Sequence, residues 1–413
     1  MKLTKTRVES LPPPHAGQAL FWDEELKGFG VRVTASGHRT YIAQGRINGK
    51  TRRVSIGPHG RWTCEEARRE AREQLRNLDL GVDPRAERQR SQALGITLRQ
   101  VVAEYLEVRE LKANSQADLR KHLRTSFSAW ADRPVASITR EDCISQFRSL
   151  SQKGPSQANQ AFVNLRALLN YAGARHRLPD GRSILPENPV AVLSQAKLWN
   201  RETPRSTRIP TDKVGRVWSA LDACWASARL EIERTSIDYV RFLLTTGARA
   251  TEAGSLTWAQ VQLDDHTPTW HLPDPKNGRP VTFPLSSLPA DLLRHRKQES
   301  RSEFVFPSPG AKGHIADARG VLTSVSSAAG LAVTRHDLRR TFTALAIHCG
   351  LELWKAELLT GHVPQTVTLR HYMETSDLRY LHADVERIGT WIFQQGLIAR
   401  AAERGENVVA LRA

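Results

Sequence analysis

Five prolines fall between residues 178 and 210 of this chain: Pro179, Pro186, Pro189, Pro204 and Pro210. Inside a helix a proline removes one backbone hydrogen bond and collides with the preceding turn. No long helix crosses this stretch, so the chain must fold as separate bodies on either side of it. The later part, about residues 196–209, is also basic, with Arg201, Arg205 and Arg208, and reads as an interdomain linker. A length of 413 residues fits two or three domains.

The two sides differ in hydrophobic period. From about Leu20 to Ile56 apolar residues alternate with polar ones, as at Val31 and Val33, Tyr41 and Ala43, Val54 and Ile56. That is the period of a half-buried strand. Asn48-Gly49 between two such runs predicts a two-residue hairpin turn. Thr63-Cys64-Glu65-Glu66 then has the spacing of a capping box, opening a helix with Ala67, Ala71, Leu75 and Leu78 on one face and Gly81 at its end. The result is a small sheet with one helix, dense in arginine (Arg32, Arg39, Arg46, Arg52, Arg53). Residues 84–95 are polar and read as a linker. From there the period is helical. Thr97-Leu98-Arg99-Gln100 is a second capping box, followed by Val101, Val102, Tyr105 and Leu106. Further helices are expected over about 115–130, from Thr139 through Phe147, and from Ser156 past Leu169 to Tyr171. Four helices with short connections make a small bundle. Its Lys112, Lys121, Arg124, Lys153 and Arg166 are either phosphate contacts or an ordinary wet helix surface.

Beyond Pro210 helices recur. One carries Val214, Val217, Trp218 and Leu221 after Thr211 as cap; the next runs through Ile237 to Leu244. Trp270–Leu272 and Val281–Phe283 read as short strands around Lys276-Asn277-Gly278-Arg279, again a hairpin turn. Helices follow on Leu338, Phe342 and Leu345, on Leu353, Leu358 and Leu359, and on Leu381, Val385, Ile388 and Ile392. The last packs on its own domain or on a neighbouring protomer. The fold class expected is multidomain α+β: an N-terminal sheet with a helix, a helical bundle, and a mostly α domain with a small sheet.

Charge bears on partners. The net charge is +17, with 18 Lys and Arg against 11 Asp and Glu in residues 1–90, 15 against 9 in 91–200 and 27 against 23 in 201–413. An excess spread over the whole length suits an extended polyanion touched by every domain. Cys64, Cys143, Cys224 and Cys349 are far apart and lack Cys-x-x-Cys spacing, so free thiols are expected rather than zinc ligands or disulfides. No apolar run of about 18 residues predicts a membrane span, and Met1–Lys5 opens no signal sequence, so a cytoplasmic protein is expected.

Several residues have the chemistry for a phosphate diester. His336 and Arg339 are three apart and share a helix face. Gly361-His362 follows an apolar helix as a stop. Upstream, Gly247 breaks a helix just before Arg249, and Glu252, three residues on, can brace its guanidinium. Lys276 lies at a hairpin tip, with Arg279 as local competitor. Guanidinium groups are planar forks for phosphate oxygens, and the phenol of Tyr372 is a nucleophile candidate.

Thr246-Gly247-Ala248-Arg249-Ala250-Thr251-Glu252 with Leu256-Thr257-Trp258, then His336-Asp337-Leu338-Arg339, Gly361-His362 and Tyr372 ten residues later, resemble the active-site motifs of the tyrosine recombinases, or phage integrase family. Gly28–Val33, Ile56-Gly57, Glu66-Ala67-Arg68 and Gly81-Val82-Asp83-Pro84 resemble the N-terminal arm-binding domain of P4-like integrases. The resemblance implies an arm-type DNA-binding domain over 1–84, a core-binding (SAM-like) domain over 96–195, a catalytic domain over 210–395 and a tail over 396–413. It implies catalytic roles for Arg249, Lys276, His336, Arg339, His362 and Tyr372, with no nucleotide or metal cofactor. Tyr380 is the alternative nucleophile, expected instead to pack. Implied partners are double-stranded DNA at core and arm sites, three further copies in a homotetramer, and DNA-bending or directionality factors. The activity implied is site-specific recombination. A type IB topoisomerase-like relaxing enzyme and a non-catalytic DNA-binding regulator are the other readings.

Overall fold

The computed structural model describes residues 1–47, 49–264, 266–275, 279–362 and 373–405. The chain divides into two units, Met1–Thr203 and Pro204–Ala413.

The first unit opens with a short helix, α1 (Lys5–Glu9), and four antiparallel strands: β1 (Gln18–Trp22), β2 (Phe29–Thr34), β3 (Arg39–Ile47) and β4 (Lys50–Pro58), paired in chain order. Ile47 pairs with Lys50, so β3 and β4 form the expected hairpin, while Asn48 of its turn lies outside the described residues. Val31, Val33, Tyr41 and Ala43 are fully buried under helix α2 (Cys64–Asp79). Thr63 and Glu66 close the capping box in both directions at its start. Residues 84–95 differ from expectation. They form a helix, α3 (Pro84–Leu94), rather than an irregular linker. Asp83 caps it, Pro84 occupies its first turn, and none of its residues is buried. A polar segment has no periodicity to betray a helix, and only its cap does.

The bundle follows: α4 (Leu98–Val108), α5 (Ala113–Thr125), α6 (Arg140–Lys153), α7 (Pro155–Arg175) and the short α8 (Ala191–Gln195). Capping boxes start α4 at Thr97 and α6 at Thr139. Phe127, Phe147 and Phe162 meet edge to face at its centre, 5.2–5.4 Å between centroids.

In the second unit, α9 (Val214–Ser227), α10 (Glu231–Thr246) and the five-residue α11 (Ala250–Gly254) precede a three-stranded antiparallel sheet: β5 (Val261–Gln262), β6 (Thr269–Leu272) and β7 (Val281–Pro284). Then come α12 (Ser287–Glu299), α13 (Arg319–Ala329), α14 (Arg335–His348), α15 (Leu353–Leu359) and a last helix, His382–Glu403. That last helix settles its own packing. Val385, Ile388 and Ile392 lie in the core of this unit, and Ser219 of α9 donates to Glu403 at 2.9 Å. It runs through residue 396 without a break. Among the described residues no helix is long and apolar enough to cross a membrane. Cys64 and Cys143 are buried free thiols, while Cys224 and Cys349 are half-buried.

Candidate active site

The site is built where α10, α14 and α15 end or begin. Helix α10 stops at Gly247, whose φ of 65° is the left-handed conformation that a glycine adopts without strain. A Cβ there would also lie 2.4 Å from the Phe342 ring of α14, so the break is fixed by packing as well. The turned chain presents Arg249, which donates to Glu252 at 3.0 Å and to the Gly361 carbonyl at 3.4 Å. Both side chains of the Arg249–Glu252 pair are mostly shielded, which makes it stronger than a solvated surface pair. The fully buried Tyr239 donates its hydroxyl to the Ala250 carbonyl at 2.7 Å and holds the turn from behind.

Arg339 is the joint of the site. It lies on α14, only 6% exposed. It donates to the Gly247 carbonyl at 2.9 Å and to the Thr360 carbonyl, and its Nη2 lies 3.3 Å from His362 Nε2. One guanidinium thus bridges the turn before Arg249 and the turn before His362. Among the described residues no carboxylate pairs with it. Burial, with Arg249 beside it, pulls its pKa down to about 10. Glu252, which pairs with Arg249, opposes that shift only in part. A buried cation bonded to carbonyls rather than to a carboxylate is costly, and suits a site that receives an anion.

His362 follows Gly361, which closes α15 with a φ of 63°. Burial and then Arg339 and Arg249 push its pKa below the ordinary histidine value. His336 lies in the first turn of α14 with much of its surface exposed; partial desolvation of its ring, then Arg340 and Arg339, lower its pKa too. The helix begins with a capping box that sequence reading missed: Thr334 donates to Asp337, and Asp337 caps it in return. Asp337 also takes Arg340 at 2.6 Å, leaving Arg339 to the site.

Arg249, His336, Arg339 and His362 are therefore brought together from three separated stretches. Lys276 and Tyr372 lie outside the described residues. Their flanks meet on one strand. Lys276 belongs to the connection between β6 and β7, and β7 also holds the segment after Tyr372: Thr282 donates to the Ser376 carbonyl at 2.8 Å, and Leu378 donates to Thr282 at 2.9 Å. Tyr380 does not pack as expected. It is 48% exposed and donates its hydroxyl to the Glu374 carbonyl at 3.0 Å, and burial of the phenol group raises its pKa. Among the described residues no group of three His, Cys, Asp or Glu side chains is placed to hold a metal.

Paired arginines and imidazoles at the ends of three helices have the chemistry to hold a phosphate diester, as the tyrosine recombinase resemblance leads one to expect. Comparison with known proteins agrees. The arm DNA-binding domain model matches residues 3–91 and the phage integrase family model residues 209–379. Prophage integrase IntF of Escherichia coli (strain K12) is 26% identical over 435 residues, covering 95% of this chain and 91% of that protein. The structure of a lambda integrase tetramer bound to a Holliday junction aligns at a TM-score of 0.52 and 18% identity, over 87% of this chain and 98% of that one. The Tn1549 transposon integrase in complex with circular intermediate DNA aligns at 0.50 and 16%, over 68% and 96%. The chain belongs to the phage integrase family and is a site-specific recombinase with an N-terminal arm DNA-binding domain.

Proposed function

We propose that this chain is the integrase of a prophage, genomic island or other mobile element, and that it cuts and rejoins DNA through Tyr372. The carrying observation is Arg339: a buried guanidinium bridging the two motif turns beside Arg249, with no carboxylate bonded to it among the described residues. In this reading Arg249 and Arg339 clamp the nonbridging oxygens of one phosphate, whose charge grows in the transition state. His362 adds a hydrogen bond there. The Tyr372 oxygen attacks phosphorus and the bond to the 5′-oxygen breaks, leaving a 3′-phosphotyrosyl ester and a free 5′-hydroxyl. A free phenol has a pKa of about 10, so its proton needs an acceptor. His336, held neutral by its surroundings, takes it. Lys276 gives a proton to the leaving oxygen. One ester replaces another, so reversal onto a partner strand needs no added energy.

Residues 1–84 would grip arm sites, and 96–195 and 210–395 would hold the core site; the tail expected over 396–413 would start only after the last helix, which packs into the second unit as far as Glu403. Strand exchange through a Holliday junction needs four protomers; the lambda integrase tetramer solved on such a junction supports that number. Bending or directionality proteins would assist, and the work would be done on cytoplasmic, nucleoid DNA.

A nicked suicide duplex carrying the core site tests the chemistry. The wild type traps a covalent protein–DNA adduct, and Tyr372→Phe traps none while still shifting the DNA in a gel. An adduct that survives Tyr372→Phe and is lost in Tyr380→Phe would move the nucleophile. A gel shift without any adduct would leave a DNA-binding regulator. An adduct without recombination between two sites would leave a relaxing enzyme.

A further inference from the structure

The path by which the chain enters the second unit leads straight to the active-site helix. Residues 201–208 are all exposed, and then Ile209 is buried, 1% exposed, in the core of that unit. Its amide donates to Thr341 Oγ1 at 2.9 Å. Thr341 is itself fully buried on α14, two residues from Arg339 and five from His336, and its hydroxyl donates to the Asp337 carbonyl at 2.7 Å. One hydroxyl thus joins the end of the linker to the turn of helix that holds the candidate catalytic pair.

The other end of the linker is fastened just as firmly to the first unit. Asn200 and Asn159 exchange hydrogen bonds: the Asn200 amide donates to Asn159 Oδ1 at 3.1 Å, and Asn159 Nδ2 donates to the Asn200 carbonyl at 2.9 Å. The Asn200 side chain also reaches Ser151 at 2.8 Å. Trp199 packs edge-on against Phe147 under the guanidinium of Arg166. The unfastened chain is therefore short, Thr203 to Arg208. Seven steps from Glu202 to Ile209 span at most about 25 Å. A pull on a tether of that length meets Ile209 and Thr341 first.

We infer that Thr341 is a positioning residue: it ties α14, and with it His336 and Arg339, to the interdomain linker, so that a linker drawn taut by DNA sets the helix in its cutting position. This rests on the recombinase mechanism proposed above. The physical ground is that a buried amide must keep its acceptor, so the helix and the linker end move together or the bond is lost. The core residues Leu338 and Phe342 limit that movement to small shifts, and small shifts suffice to change a rate.

The full-length protein tests this with Thr341→Val, Thr341→Ser and an insertion of two glycines after Ser206. Single-turnover cleavage at saturating suicide substrate, gel-shift affinity and melting temperature are read for each. Thr341→Val keeps the volume and removes the acceptor; it slows cleavage roughly ten- to a hundredfold while affinity stays within about twofold. Thr341→Ser restores the rate. The insertion slows cleavage in the wild type and adds little to Thr341→Val, because both cut the same tether. Wild-type cleavage rates in Thr341→Val, or losses that multiply, overturn the inference. If Thr341→Val melts below the assay temperature, the insertion decides alone, since it touches no core residue: an unchanged rate overturns the tether. A wild type that forms no adduct overturns the recombinase mechanism instead.

Discussion

Each unit buries an arginine, and the two are held in opposite ways. Arg68, on α2 of the first unit, is 2% exposed and donates to Asp23 at 2.9 and 3.3 Å, to Glu65 at 3.0 Å and to the Leu3 carbonyl at 2.8 Å. Its hydrogen bonds to Asp23 raise its pKa above the ordinary arginine value. Arg339, on α14 of the second unit, is almost as deeply buried yet meets only carbonyls and an imidazole among the described residues, and burial lowers its pKa to about 10. A guanidinium buried with its carboxylate is a structural pin, complete in itself. One buried against carbonyls keeps positive charge that a substrate anion can meet. The same residue type therefore reports stability in one unit and chemistry in the other.

The comparison predicts a double dissociation. Arg68→Met leaves Asp23 buried without its cation and should cost about 3–5 kcal/mol. Denaturant melts of the full chain measure this, while the cleavage rate of a core-site suicide substrate, per folded molecule, stays unchanged. A loss below about 1 kcal/mol would show that Arg68 is not a pin. Arg339→Met should do the reverse. It removes a transition-state contact, so cleavage falls about a hundred- to a thousandfold. The Gly247 and Thr360 carbonyls lose a donor, but the fold also sheds a buried charge to which no carboxylate is bonded among the described residues, so stability should change less than in Arg68→Met. Sulfate offers a second readout, raising the melting temperature of the wild type and not of Arg339→Met. Equal destabilisation by both substitutions would erase the distinction.

Much of this was legible in the sequence, for reasons that differ by residue. Alternation marked β2 and β3 because one sheet face is buried under α2, and Thr63, Thr97 and Thr139 marked helix starts because a hydroxyl three residues before an acid or amide has few other uses. Arg249, His336, Arg339 and His362 were legible only as a set, through spacing. What escaped has a common cause. Helix α3 carries no apolar face, so no period announces it. Arg68 looks like its neighbour Arg69, although it shares the buried face of Cys64, Ala67 and Ala71. Ile209 is a single apolar residue after eight exposed ones. The bonds that assemble the site run to the carbonyls of Gly247, Ala250 and Thr360, and a carbonyl has no sequence signature.

The smallest expected effect concerns the imidazoles beside Arg339. His336 and His362 both have lowered pKa values, through burial first and then Arg340 and Arg339 for His336, Arg339 and Arg249 for His362; the acids that oppose this are Asp337 and Glu357. If neutral His336 accepts the Tyr372 proton, cleavage is level above about pH 6.5, the ordinary histidine value, and falls several-fold only below it. The sign follows from the direction of the shift: a lowered pKa keeps the ring neutral, and active, further into acid. Stability moves the same way. The unfolded chain takes up these protons near pH 6.5 and the fold resists them, so melting temperature also falls as the pH drops below that value. Cleavage and melting must therefore be followed together. Arg340 supplies the separating variant, because it repels the His336 proton from four residues along the same helix. Arg340→Met should raise the midpoint of the cleavage profile toward about 6.5 and narrow the acid range in which the enzyme works. A wild-type midpoint already at 6.5, or one that Arg340→Met leaves in place, would mean that the cations around Arg339 do not reach His336, and that they act on the phosphate alone.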